Sequence, residues 1–429
     1  MKKTLTIICA IVLLFAMTIS LAACGNSGSS SNTGSNSGSN TESNSGSNNE
    51  SNVGTPANGE TFKIGLSTTL SGVAALYGEE AEKGVQLALE YVNANGGFNG
   101  VPGEYIVYDE QGKAEEAVKI AQKFIQTDKV NAVIASNGSS YAMAAAPYYD
   151  EAGIVTLPMG NSPAFTSSGW NYVYHAVMNN DYTVPVVEDL LVKMGFTTVA
   201  VAKSQDDNGL NSATSFVAAC KEDGIEVVAE EAFSGNDTDF SGQCAKIMAA
   251  NPQCVFISIS GDANGTFVKQ LRSFGYTGLI FSKESMTQSM IDVAGEDAAR
   301  YIIFSNPYLV YGDVEECDIP NLRAFIESFI AKFGSINATD VCYRSWDCVM
   351  AIWEASKIAG SNESQAIADA FGQVVIEGLG GTLDFTVGDH EGYHTFNSFI
   401  EIDRMNLDFE TWYNDGGYDA YKAETGNEY

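Results

Sequence analysis

The chain has 429 residues, with 54 acidic against 22 basic side chains and a formal net charge of −32 at pH 7. Phosphate contacts need basic surface, so this balance argues against nucleic-acid binding; spread acid keeps copies soluble and mutually repelling without defining a ligand. Eight cysteines and three histidines stand in no convincing zinc spacing, and no cofactor motif is present.

Met1-Lys2-Lys3 is a basic start, and Leu5 to Leu21 is almost wholly apolar before Ala22-Ala23-Cys24-Gly25. A basic start, an apolar core and small residues before the cut describe a secretory signal peptide, residues 1–23. The cysteine directly after them resembles a bacterial lipobox, which implies cleavage before Cys24 and a diacylglycerol thioether on its sulfur. Residues 24–60 are rich in Gly, Ser and Asn and cannot bury enough surface to offset their ordering entropy. They read as a lipid-anchored tether with a reach of roughly 30–36 Å. Anchor and tether together suggest the extracellular face of a Gram-positive cell membrane.

The folded part opens with a buried strand, Phe62 to Ser67, a loop through Ser71-Gly72 and Tyr77-Gly78, and a helix from about Glu79 to Asn95. In that helix Ala81, Val85, Ala88, Leu89 and Val92 form one apolar stripe. Ligands of open parallel sheets bind beyond the carboxyl ends of strands, which makes Tyr77 the first candidate contact. Strands then alternate with helices: Glu104 to Asp109, Ala132 to Ala135, Ile154 to Leu157 and Tyr172 to Val177 are strands, with helices at Ala114 to Thr127 and Ser140 to Glu151. From Asn179 the pattern restarts, with strands at Thr198 to Ala202, Glu226 to Glu230, Cys254 to Ile259, Leu279 to Phe281 and Tyr301 to Ser305. Such alternation means parallel sheets with helices on both faces, and two runs suggest two similar Rossmann-like lobes. Three further helices, Ile319 to Phe333, Thr339 to Ala359 and Glu363 to Phe371, are apolar enough to require docking on the first lobe. Extended segments at Leu383 to Phe385 and Phe396 to Ile402 follow. The expected division is 61–178 with 306–395 in lobe 1 and 179–305 with 396–429 in lobe 2, joined by a three-crossing hinge. Cys220, Cys244 and Cys254 can yield one disulfide or remain buried thiols; Cys342 and Cys348, six apart on different faces of one expected helix, should not pair with each other, and the state of Cys317 is open.

The opening KIGLSTTLSG…YG, the turn YVNANGGFNG, the strand YIVYDE, then EAGIVTLPMGNSPAFT, DFSGQCAKI, QLRSFGYTG, VAGEDA and the helix SWDCVMAIWEASKIAG occur in that order between Lys63 and about Ile402. Together they resemble the branched-chain amino-acid (Leu/Ile/Val) binding proteins of ABC importers, which have the type I periplasmic-binding-protein fold. The resemblance implies a two-lobed clamp that closes on a small ligand and presents it to a membrane permease. It places Tyr77 on the side-chain pocket, Ser139 at the carboxylate-binding serine, and Met159, Gly160 and Asn161 on the next ligand loop. It places Glu284 where an acidic residue receives the ligand's ammonium. A serine at a helix start, with free N–H groups and the positive end of the dipole, suits an anion. Departures are Asn161 where the family commonly has Thr, Asn208 where a tyrosine often covers the ligand, and Ser260 with Gly261 at a wall position that is often aromatic. The amide at Asn161 can still bond either charged end with altered geometry, and the loss of the two rings from the second lobe would enlarge the pocket or make it more polar.

The resulting expectation is an extracellular lipid-anchored, monomeric binding protein that captures an amino acid, branched-chain or related, and delivers it to an ABC permease. The same fold takes amides, urea-like compounds and aromatic acids, and can serve a tethered ligand sensor. No nucleophile elbow, Walker loop, His-Glu-x-x-His or paired-carboxylate motif points to an enzyme. His390 and His394 sit four apart in a Gly-rich turn with no cysteine or helix nearby in sequence, which argues against a metal site.

Overall fold

The computed structural model describes residues 61–429 apart from 235–236, 260, 309–313, 336–338, 398, 403–406 and 428–429. The leader, Cys24, the tether and Ser260 therefore lie outside the described residues.

The first sheet contains β1 (Phe62–Thr68), β2 (Gly103–Asp109), β3 (Ala132–Ala135) and β4 (Val155–Pro158), all parallel in the order β2-β1-β3-β4. Its helices are α1 (Ala75–Ala94), α2 (Ala114–Lys123), α3 (Ser139–Glu151) and the short α4 (Ala164–Ser167). Strand β3 reads AVIA and is wholly buried, as a parallel strand covered on both faces must be. The apolar stripe of α1, from Ala81 to Val92, lies in one of the two cores beside this sheet.

The second run gives α5 (Asn180–Met194), β5 (Thr198–Ser204), α6 (Asp207–Glu222), β6 (Glu226–Phe233), α7 (Ser241–Ala250), β7 (Cys254–Ser258), α8 (Asp262–Ser273), β8 (Leu279–Ser282), α9 (Gln288–Ala294) and β9 (Ile302–Asn306). The chain then returns to the first sheet with α10 (Pro320–Phe333), α11 (Val341–Ala359) and α12 (Ser364–Phe371), followed by the hairpin β10 (Val375–Glu377) and β11 (Thr382–Asp384). Val349, Ile352 and Ala355 of α11 share the core of α1 and β1. Strands β12 (Phe399–Ile402) and β13 (Leu407–Asp408) complete a seven-stranded second sheet, β13-β12-β9-β8-β7-β5-β6. Helices α13 (Phe409–Asn414) and α14 (Gly417–Thr425) close its outer face through Phe409, Tyr418 and Tyr421. The chain passes between the two sheets after Met178, after Asn306 and again before β12.

Several local expectations are corrected. Helix α1 begins at Ala75, because Gly78 is a helical close contact and not a turn: a Cβ there would lie 2.0 Å from the Thr69 carbonyl oxygen. Residues Tyr172 to Val177 form no strand. Their hydrogen bonds divide between Thr156 on one side and the His390–Gly392 turn on the other, leaving isolated bridges. The six cysteines from Cys220 to Cys348 are buried free thiols, so no bridge joins Cys220, Cys244 and Cys254. Among the described residues no helix is long and apolar enough to cross a membrane.

Candidate functional site

Loops beyond the carboxyl ends of strands in both sheets converge on one cleft, as open parallel sheets direct. Thr69 follows β1, Asn137 to Tyr141 follow β3, and Asn161 follows β4; Asp206 and Asn208 follow β5, Gly261 follows β7 and Glu284 follows β8. Helix α1 contributes Tyr77, and the start of α11 contributes Val341 and Arg344 with Asp340 just before them. The enclosed space is about 180 Å³. That is room for several waters or a small ligand. A hinge-side compartment of about 40 Å³ shares the wall of Tyr77, Asn161, Glu284, Asp340 and Arg344, and adds Lys283 and Thr339.

On the first lobe, Gly78 seats the first turn of α1 against the loop after β1 and so fixes Tyr77. Burial, then the Glu284 and Asp340 carboxylates, push the Tyr77 phenol above its usual range, against an opposing pull from the Gly261 backbone on the other side of the cleft. Ser139 opens the 13-residue α3; it is buried and its Oγ has no hydrogen-bond partner. Free N–H groups and the positive end of the helix dipole gather there. The neighbouring loop comes very close: a Cβ on Gly160 would sit 2.5 Å from Ser139 Oγ.

Beneath these loops lies Glu110, fully buried. Thr69 Oγ1 donates to its Oε1 at 3.0 Å, Ser67 Oγ to its Oε2 at 3.1 Å, and Ser136 Oγ also donates to Oε1. Ser136 Oγ in turn accepts the Gly138 N–H at 3.0 Å, which fixes the approach to Ser139. Desolvation pushes the Glu110 carboxyl up to about 7 against the pull of its three hydroxyl donors.

Arg344 was not foreseen. Its Nη1 donates to the Met159 carbonyl at 2.9 Å and to Asn161 Oδ1 at 2.7 Å, and its Nη2 pairs with Asp340. Asn161 Nδ2 donates to the Met178 carbonyl at 2.7 Å, so the Asn161 amide braces the ligand loop against the hinge.

On the second lobe, Glu284 Oε1 accepts from Asn208 Nδ2 at 2.8 Å and pairs with Lys283 Nζ at 3.1 Å, which leaves Oε2 as the open acceptor. Burial works to raise this carboxyl, but Lys283, Arg344 and the Asn208 bond outweigh it and hold it below the usual range. Asp206 caps α6, accepting the Gly209 N–H at 2.8 Å, and is exposed at the cleft mouth. Asp207 N–H to Ser140 Oγ at 3.4 Å and Asn211 Nδ2 to Ser162 Oγ at 2.8 Å also span the cleft.

Tyr77, Ser139, Asn161, Asn208 and Glu284 thus line one space. Met159 does not: its side chain is in the core and its carbonyl is held by Arg344. Gly160 lies behind the wall, its carbonyl accepting from His175 Nε2 at 2.7 Å. Sequence reasoning missed Arg344, Asp340 and Asp206. The signal for Arg344 was a charge on the buried stripe of α11, beside Val341, Ser345, Cys348 and Ile352.

Comparison with known proteins agrees with this architecture. A protein described as a leucine-, isoleucine-, valine-, threonine- and alanine-binding protein of Pseudomonas aeruginosa is 25% identical over 360 residues, 83% of this chain and 91% of that one. The crystal structure of the branched-chain amino acid transporter substrate-binding protein LivJ from Streptococcus pneumoniae, in complex with isoleucine, matches with a TM-score of 0.71 at 22% identity, over 80% of this chain and 97% of the other. A solute-binding protein from R. palustris in complex with benzoate matches with a TM-score of 0.70 at 19% identity, over 80% and 93% of the two chains. Both structures share the type I fold. A family model described as periplasmic binding protein matches residues 61–400, and the chain belongs to that family.

Proposed function

We propose that this chain is the binding component of an ABC importer, holding an α-amino acid between its lobes and presenting it to a membrane permease. It works as a monomer at the outer face of the membrane, held by lipid on Cys24. The observation that carries the reading is a pair of opposed ends in one cleft. The amino end of α3 with the unpartnered Ser139 hydroxyl suits an anion, and the open Oε2 of Glu284 suits a cation. A zwitterion satisfies both. An aromatic acid of the kind held by the R. palustris protein would leave Glu284 without a ligand partner.

A charge-assisted bond in a closed cleft is worth about 1.5–3 kcal/mol. Glu284→Gln should therefore weaken amino-acid binding at least tenfold by titration calorimetry of the full-length protein. Unchanged affinity in that variant would remove the zwitterion argument and favour a ligand without an ammonium group.

A further inference from the structure

The polar groups of the cleft are more numerous than a zwitterion's two ends require. With the α-carboxylate at Ser139 and the α-ammonium at Glu284, as proposed above, the remaining wall holds donors in the Ser140 and Tyr141 hydroxyls and the unpartnered Arg344 Nε. It also holds two acceptors, Asn137 Oδ1 and the second carboxylate oxygen of Asp206, that have no cation or donor of their own among the described residues. Asn137 Oδ1 is buried with no partner. The Asp206 carboxylate caps α6 through one oxygen, and no cation pairs with it among the described residues. Of the three carboxylates that line the space, Glu284 is paired with Lys283 and Asp340 with Arg344, which leaves Asp206 as the one with no cation among the described residues. That balance repels an acidic side chain. Aliphatic lining is limited to Ala74 and Val341; the other apolar surface is the rings of Tyr77 and Tyr141, the latter on the same wall as Asn137 and facing Asp206 from the opposite lobe. Ring faces beside carboxylates favour a cation or an N–H donor. An aliphatic side chain would keep water from the buried Asn137 Oδ1 and give it nothing in return.

We infer that the ligand is an α-amino acid whose side chain donates hydrogen bonds through nitrogen, as an amide or a cation, and that Asp206 and Asn137 receive it. This rests on the zwitterion reading and goes beyond it, because the names of the relatives point to aliphatic side chains.

The test is a calorimetric panel on the full-length protein with leucine, isoleucine, valine, glutamate, asparagine, glutamine, lysine and arginine. The best nitrogen-bearing ligand should bind at least tenfold tighter than leucine and glutamate. Asp206→Asn retains a helix-capping acceptor and should narrow that margin at least threefold, more steeply if the ligand is a cation than if it is an amide. Leucine, isoleucine, valine or glutamate binding as tightly as every nitrogen-bearing ligand would overturn the inference, and so would an unaltered margin in Asp206→Asn. Absence of binding by every amino acid in the panel would instead sink the zwitterion reading beneath it.

Discussion

Glu110, fully buried beneath the first wall of the cleft, and Glu284, partly buried in the second, are carboxyl groups just beyond strand ends, and their surroundings drive them in opposite directions. Glu110 has three hydroxyl donors and no cation, and desolvation pushes it up to about 7. Glu284 is also desolvated, yet Lys283, Arg344 and Asn208 hold it below the usual range. Hydroxyl dipoles do not offset burial here; full charges do. The first lobe thereby offers a wall of hydroxyls and helix N–H groups in which Arg344 is paired internally with Asp340. The second offers the Glu284 carboxylate, held below its usual range by its charged neighbours. A ligand with separated charges is oriented by that asymmetry before any side-chain contact is made.

The largest test of the contrast is Arg344→Met. It leaves the Asp340 carboxylate, Asn161 Oδ1 and the Met159 carbonyl without their donor. Breaking a buried pair by removing one partner costs about 3–5 kcal/mol. Urea unfolding should show a loss of that size, and Asp340→Asn in the same chain should recover part of it. A cost below about 1 kcal/mol would mean the pair is solvated and that the first wall is not neutralised from within.

Glu110 gives a test through pH. Its carboxyl holds its proton more tightly in the folded state, so its contribution to stability is complete below about 4.5 and is lost as pH rises through about 7. Integrated over that window the effect is about 3 kcal/mol at most. Asp347, raised to about 7 by burial despite the bonds from Tyr393 and Leu379, acts with the same sign. Wild-type stability should fall between pH 5 and 8, and the fall should be shallower in Glu110→Gln. Equal slopes would show that Glu110 is ionised throughout.

Much of the architecture was legible because parallel strands covered on both faces are continuous apolar runs, as in AVIA of β3 and CVFIS of β7, and because the stripe of α1 repeats with helical spacing. The elements after Ile402 were not legible: α13 and α14 are short, and their aromatics pack as a cap on the second sheet rather than as a stripe. Of the cleft, the motif-borne positions Tyr77, Ser139, Asn208 and Glu284 were readable. Arg344 and Asp340 were hidden because they act through pairing with each other and with backbone carbonyls, and no local pattern announces such a contact. Met159 and Gly160 illustrate the converse, since the motif marks the loop while its geometry sends one side chain to the core and leaves the other residue behind the wall.

Gly160 supplies the smallest and most local test. A Cβ at this position would lie 2.5 Å from Ser139 Oγ, 3.0 Å from its Cα and 3.1 Å from its N. The hydroxyl can rotate away, but the backbone atoms cannot. Nor can the Gly160 loop retreat freely, because its carbonyl accepts from His175 Nε2 at 2.7 Å and His175 Nδ1 is held by Glu391 at 3.0 Å. The strain of Gly160→Ala must therefore fall on the amino end of α3, the part of the neutral wall assigned to the ligand's carboxylate. Overpacking of this kind costs about 1–3 kcal/mol. Because the clash touches one helix end, an effect near the lower limit is expected: roughly a tenfold weaker Kd, with a loss in unfolding free energy of about 1 kcal/mol. A wild-type Kd accompanied by that loss in stability would place the carboxylate elsewhere in the cleft and remove Ser139 from the contact.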